Sequence, residues 1–250
     1  MPLNLIRKRG DKEAQSWTAS APEGERIYAI GDIHGCLAPL AALMAKLEAD
    51  RAAHPGVAAR FVFLGDYVDR GQDSAGALDA LVGFGARHDC VFLKGNHEAM
   101  MLRFMDGDDD MEAWLRNGGN ETLSSYGVGA GAGPSATRAA LRRAMPAAHE
   151  RFLRGLRVSA ARGDYFFAHA GVRPGVPLDA QSEADLLWIR GEFLNDERDH
   201  GKVVVHGHTP VDAPDLRRNR IGIDTGAVFA GPLTAVALTA RDVRFIQATA

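Results

Sequence analysis

Cysteine is scarce in this chain: its 250 residues include two, Cys36 and Cys90, with no C-x-x-C spacing. That scarcity excludes a disulfide-stapled scaffold and a cysteine-built zinc module. It suits a reducing, cytoplasmic setting with both thiols as small structural residues. Long apolar runs are missing too. None reaches the length of a membrane span, and no apolar stretch follows the basic Arg7-Lys8-Arg9 triplet as it would in a signal peptide. Nor is one charge in excess: the formal net charge is −3, with no basic stripe, which argues against nucleic acid as a partner.

What is present is an ordinary globular composition, 46% hydrophobic, at a length that suits one large domain or a domain with an insertion. Residues 1–25 are polar and irregular and read as a flexible tail; residues 26–250 read as a single domain. Apolar runs at 26–30, 60–64 and 90–93 predict strands, separated by helical spacing over 37–53 and 74–87. This alternation implies a mainly parallel sheet covered by helices.

Strand signals fade from Glu98 to Asp164, and about 99–163 reads as a helical insertion that caps the sheet. Within it, Asp106-Gly107-Asp108-Asp109-Asp110 lacks the full ligand pattern of a Ca²⁺ loop. The glycine-rich stretch 127–134 has no preceding strand, which rejects a dinucleotide site. Asn117-Gly118-Gly119 is expected to approach the site rim, since two glycines permit close backbone approach. Strand signals return at 164–168 and 202–205. Three more, at 220–224, 234–238 and 243–246, follow with close turns and no helix between them, predicting an antiparallel second sheet. The whole reads as an α/β fold: a four-layer α-β-β-α sandwich of two mixed sheets flanked by helices.

The chemistry gathers at strand ends. Asp32 and His34 follow the first predicted strand, Asp66, Asp69 and Arg70 the second, and Asn96 and His97 the third; His169 and the pair His206 and His208 follow later ones. Five of the nine histidines fall in these turns, too many for scattered surface residues. Ligands of parallel sheets collect at the carboxyl ends of strands, so these turns would meet at one rim. A mixture of Asp, Asn and His donors suits two divalent metal ions, Mn²⁺ first, with Fe or Zn²⁺ as alternatives. One carboxylate can be shared between two such ions.

Three of these turns also carry a resemblance. Gly31-Asp32-Ile33-His34-Gly35, Gly65-Asp66-Tyr67-Val68-Asp69-Arg70-Gly71 and Gly95-Asn96-His97-Glu98 resemble signature blocks of the phosphoprotein phosphatase family, within the calcineurin-like metallophosphoesterases. His169-Ala170, Gly207-His208-Thr209-Pro210 and Ile223-Asp224-Thr225-Gly226-Ala227 are similar to later blocks of its bacterial and bacteriophage lambda-type members. The resemblance implies that Asp32, His34 and Asp66 hold one metal, and that Asp66, Asn96, His169 and His208 hold a second. His206 stands where related enzymes often have an apolar residue and is left out of the ligand set.

The resemblance further implies that a dimetal-bound hydroxide attacks phosphorus in line while Arg70 and Arg190 clamp phosphate oxygens. His97, oriented by Asp69, would protonate the leaving alkoxide. The implied activity is hydrolysis of phosphoserine and phosphothreonine. The alternative is a dinucleoside polyphosphate (diadenosine tetraphosphate) hydrolase. Such hydrolases tend to have Asn-His-Asp where this chain has Asn96-His97-Glu98, and to lack the Asp of Val68-Asp69-Arg70. A third reading, a dead scaffold that binds phosphoprotein, is opposed by the intact set of candidate ligands.

Overall fold

The computed structural model describes residues 18–249; the Arg7-Lys8-Arg9 triplet lies outside them. β1 (Glu25–Ile30), α1 (Leu37–Ala52), β2 (Ala58–Phe63), α2 (Ser74–Gly85), β3 (Cys90–Phe92) and α3 (Asn96–Asp106) follow the predicted alternation closely. α1 forms because Leu40, Leu43 and Leu47 recur on one face, which it buries. α2 starts where the Asp73 carboxylate accepts a hydrogen bond from the Gly76 amide at 2.7 Å, satisfying a donor of the first turn.

The insertion comprises α4 (Met111–Trp114), a π-helical turn (Leu115–Gly119), α5 (Asn120–Ser125), α6 (Pro134–Ala144) and α7 (Ala147–Arg154). It ends earlier than expected. Ser159–Arg162 is a strand, β4, antiparallel to β5 (Tyr165–Ala168). Its Ser-Ala-Ala-Arg sequence has no apolar alternation because it is an edge strand with little to bury. α8 (Glu183–Trp188), α9 (Gly191–Leu194), β6 (Val203–His206), β7 (Asp215–Leu216), β8 (Arg220–Gly222), β9 (Leu233–Thr239) and β10 (Asp242–Ala248) complete the chain.

Two mixed five-stranded sheets result, ordered β10-β9-β1-β2-β3 and β4-β5-β6-β8-β7. The C-terminal strands do not form one antiparallel sheet, as their close spacing predicted. β8 lies parallel to β6 in the second sheet, whereas β9 and β10 return to the first, with β9 antiparallel to β1. β9 is buried at six successive residues, as befits an inner strand covered on both faces.

Side-chain alternation makes the four layers. Tyr28, Ile30, Phe61 and Phe63 face the helices and pack with Leu40, Leu43, Leu78 and Leu81. Their neighbours Ile27, Ala29, Val62 and Leu64 face the second sheet and meet Tyr165, Phe167, Val205 and Ile221. The far face of the second sheet, Phe166, Ala168 and Val204, is covered by Leu186, Ile189 and Phe193.

The expected tail is anchored in its described part. Ala19 and Ala21 are buried with the inter-sheet core, the Ala21 amide donates to the Ala240 carbonyl at 2.8 Å, and the Ser20 amide donates to Asp164 at 2.9 Å. Both cysteines are free and half-buried. Among the described residues no helix is long and apolar enough to cross a membrane.

Candidate metal centre

The turns after β1, β2 and β3 lock to one another through backbone hydrogen bonds. The Ile33 and His34 amides donate to the Asp66 carbonyl at 3.0 and 2.8 Å, and the Gly35 amide donates to the Tyr67 carbonyl at 2.8 Å. Glu98, in the first turn of α3, accepts from the amides of Gly95, Asp66, Tyr67 and Val68 at 2.7–3.2 Å and so ties the third turn to the second. Gly207 has no room for a side chain: a Cβ there would stand 2.0 Å from Asp32 Oδ1. Backbone strain concentrates here. His34, Asp66, Asp69, Arg70 and His208 are five of the seven non-glycine residues with positive φ among those described.

Two buried donor groups share Asp66: His34, Asp66 and His97, and Asp66, His169 and His208. His34 Nδ1 faces the Val68 carbonyl at 2.9 Å and His169 Nδ1 faces the Leu64 carbonyl at 3.0 Å. A carbonyl only accepts, so each Nδ1 carries a proton and each Nε2 is the ring nitrogen left for a metal. Around His169 Nε2 stand Asn96 Oδ1 at 2.9 Å, His208 Nδ1 at 3.2 Å and Asp66 Oδ2 at 3.4 Å. Acceptor atoms that face one another in a buried site are stabilised by a cation.

The Asp66 carboxylate gives the same indication. Burial opposes charge on His169, yet the neighbouring Asp66 outweighs it and raises the imidazole pKa to about 9. A proton there answers the electrostatic demand that a divalent ion would meet. Burial lowers His34 to about 3 and His208 to about 2, which keeps both rings neutral and ligand-competent.

Asp32 is the remaining carboxylate that the resemblance assigns to a metal. It belongs to neither compact group; its Oδ2 accepts from the His208 amide at 3.0 Å, while its buried Oδ1 has no hydrogen-bond partner. Burial, then the charge of Asp224, push its carboxyl well above the usual range. His208 Nε2 is likewise buried without a partner. The donor chemistry and these two orphaned atoms fit a pair of divalent ions held across Asp32, His34, Asp66, Asn96, His169 and His208.

His206 packs its ring against Phe193, with centroids 5.1 Å apart, and its Nδ1 lies 3.1 Å from the Gly207 carbonyl. It is in neither donor group, and burial lowers its pKa to about 4.

His97 is held by Asp69, Nδ1 to Oδ2 at 2.8 Å, with its Nε2 3.9 Å from Asp66 Oδ2. Burial works against its charge, but the carboxylates of Asp66 and Asp69 outweigh it and raise its pKa. Arg70 Nη1 lies 2.9 Å from His34 Nε2, and its guanidinium stands over the exposed Phe229 ring at 5.9 Å. Arg190 is exposed, reaches only Thr209 Oγ1 at 3.4 Å, and has no ion pair among the described residues. A surface salt bridge therefore does not explain it.

Gly118 meets the expectation that its turn approaches the rim. It has φ 100, its carbonyl accepts from the Arg70 amide at 3.1 Å, and a Cβ would lie 2.5 Å from the Arg70 nitrogen. Sequence reasoning missed Trp114 and Thr122, which both donate to Asp69, and it gave no role to Asp224. Glu98 had a readable signal, since a Glu three residues after the residue that precedes a helix reaches back to that residue's amide.

The site thus gathers buried His and Asp groups that could hold metal at the carboxyl ends of strands. The sequence matches the family profile described as calcineurin-like phosphoesterase over residues 25–231, and the chain belongs to that family. It is 31% identical to a bis(5'-nucleosyl)-tetraphosphatase PrpE of Geobacillus thermodenitrificans, over 84% of this chain and 89% of the other. It is 30% identical to serine/threonine-protein phosphatase 1 of Salmonella typhimurium, over 89% of this chain and 93% of the other. Among solved structures, a Saccharomyces cerevisiae serine/threonine phosphatase with similarity to human PP5 shares the fold. Its TM-score is 0.55 at 14% identity, covering 91% of this chain and 80% of that one.

Proposed function

We propose that this phosphoesterase is a metal-dependent phosphomonoesterase acting on phosphoserine and phosphothreonine. The buried His97–Asp69 pair carries the reading. A serine or threonine alkoxide is a strong base and leaves slowly unless it is protonated. A nucleotide leaving a polyphosphate chain needs far less help, so an oriented general acid is worth most on the alkyl esters.

Asp32, His34 and Asp66 would hold one ion, and Asp66, Asn96, His169 and His208 the other. Bound there, two divalent ions would acidify water and offset the phosphate charge. Arg70 and Arg190 would orient phosphate oxygens through charge-assisted hydrogen bonds. Asp69 holds the His97 ring so that Nε2 faces the side of Asp66. Two free thiols and the absence of any acidic or basic bias support placement in the cytoplasm, with no nucleic-acid or membrane partner.

A second reading, hydrolysis of dinucleoside polyphosphates, draws on the relatives named for it and on two exposed aromatics at the site. Trp188 lies 6.3 Å from the His208 ring, and Phe229 lies beneath Arg70. Exposed rings of this kind can stack nucleobases. The test is Mn²⁺-dependent turnover of a phosphoserine peptide against diadenosine tetraphosphate. Faster hydrolysis of the peptide, unaffected by Phe229→Ala, supports the first reading. Preference for the dinucleotide, with a KM that rises about tenfold or more in Phe229→Ala as stacking is lost, replaces it with the second.

A further inference from the structure

Asp69, besides meeting His97, is pinned by the helical insertion. Trp114 Nε1 donates to both carboxylate oxygens, at 3.1 Å to Oδ1 and 3.0 Å to Oδ2. Thr122 Oγ1 donates to Oδ1 at 2.6 Å, and the Asp69 amide donates to Thr122 Oγ1 at 2.8 Å. All four side chains are buried, with Asp69 and Thr122 at 0% exposure. Trp114 is itself held, stacked on Phe104 with centroids 5.1 Å apart and with Gly119 pressed against its indole.

The intervening backbone explains how both donors reach one carboxylate. On a regular α-helix, residues eight apart are offset by about 80° around the axis. Here the π-helical turn and the left-handed Gly118 lie between Trp114 and Thr122 and break that spacing. The Gly118 carbonyl also holds the Arg70 amide, so a single segment grips the two consecutive left-handed residues Asp69 and Arg70. A neutral indole N–H and a hydroxyl can fix the plane of a carboxylate without taking the proton that His97 has to deliver.

We propose that Trp114 and Thr122 are positioning residues for proton delivery, and that the insertion sets the orientation of His97 through Asp69. This rests on reading His97 as the general acid. Neither residue touches substrate in this assignment; each acts through the Asp69 carboxylate.

The test compares kcat on phenyl phosphate, whose leaving group needs protonation, with kcat on p-nitrophenyl phosphate, whose leaving group needs little. It uses the Mn²⁺-loaded full chain and the variants Trp114→Phe, Thr122→Val, Thr122→Ser and His97→Asn. Trp114→Phe keeps the ring packing and removes the donor. Loss of one hydrogen bond to a charged group should lower kcat on phenyl phosphate by roughly tenfold. KM should stay near the wild-type value, and p-nitrophenyl phosphate should lose less than about threefold. Thr122→Val should behave alike, and Thr122→Ser should recover most of the loss. If Trp114→Phe folds poorly, the Thr122 pair decides. Equal losses on both substrates, or no loss, in Trp114→Phe and Thr122→Val while His97→Asn still discriminates would overturn the proposal and leave the general acid intact. Equal losses on both substrates in His97→Asn would overturn the general acid itself, and the proposal with it.

Discussion

Metal loading offers a direct trial of the shared-carboxylate geometry, because its readout is stability rather than turnover. In the metal-stripped protein, Asp32, Asp66 and Asp224 are all buried within one site, and Asp224 raises the pKa of Asp32 after burial does. His169 Nε2 lies 2.9 Å from Asn96 Oδ1 and 3.4 Å from Asp66 Oδ2, the place where a cation would replace its proton. Cations that bind only the folded state relieve this crowding and stabilise by mass action. At a free concentration a hundredfold above the dissociation constant, each independent site adds about 2.7 kcal/mol. Two sites add about 5.4 kcal/mol, a rise in Tm of roughly 10–20 °C for a domain of this size. Asp66 belongs to both donor groups, whereas His208 belongs to one. Asp66→Asn should therefore abolish the whole rise, and His208→Ala should keep about half of it. Thermal scans with and without Mn²⁺, with elemental analysis of bound metal, read both effects. Two ions per wild-type chain and one per His208→Ala chain are expected. A His208→Ala protein that keeps the full rise, or an Asp66→Asn protein that keeps half, would refute the sharing.

Three further outcomes follow from contacts elsewhere. Arg190→Ala should lower kcat/KM by roughly tenfold or more, as loss of a charge-assisted hydrogen bond would, with Tm unchanged because Arg190 makes no ion pair among the described residues; an unaltered kcat/KM would remove it from the phosphate clamp. Gly118→Ala places a Cβ 2.5 Å from the Arg70 nitrogen at φ 100, so it should cost about 1–3 kcal/mol of stability in denaturant titrations and also raise KM. Asp50 accepts from Arg26, Tyr28 and Arg244, so Asp50→Asn should lose roughly 2 kcal/mol at pH 7. Burial raises the pKa of Asp50, but these three partners outweigh it and hold it below the usual value. The contribution of Asp50 is therefore present above about pH 4 and lost as pH falls through the lower folded value. The wild-type and variant stability curves should converge toward acid, and a gap that does not narrow as pH falls below about 4 would count against this account.

The layers were legible where burial leaves a local signature. Ile27, Ala29 and Tyr28, Ile30 alternate between two cores, so β1 announces both its type and its two buried faces. The candidate ligands were legible because each sits in a turn directly after an apolar strand. Partner choice was not. β9 reads as apolar on both faces whichever sheet receives it, and its hairpin with β10 has the same local spacing in either. β7, two residues long, has too little sequence to carry a period. Asp69 stood out through its motif, but Trp114 did not. Its distance from Thr122 in sequence, about 80° around a regular helix and two turns along it, does not bring both donors to one carboxylate until the π-helical turn is known. Asp32 was legible only through its motif, because its contacts in the fold, the His208 amide and the charge of Asp224, come from segments distant in sequence.

The return of β9 to the side of β1 has a consequence for biosynthesis. β1 emerges from the ribosome early and presents one open edge until residues 233–239 arrive to pair with it. Everything belonging to the second sheet is synthesised in the interval. Such long-range closure is slow and leaves an adhesive strand edge exposed in the nascent chain. Asp32 lies just beyond β1, and the Gly31 amide in that turn donates to the Thr234 carbonyl of β9. The strand that closes the sheet thus also secures the first turn of the metal centre. A chain broken off before β9 would lack that clasp, so the first candidate turn is tied down only with the last hairpin and not with the synthesis of the turns themselves.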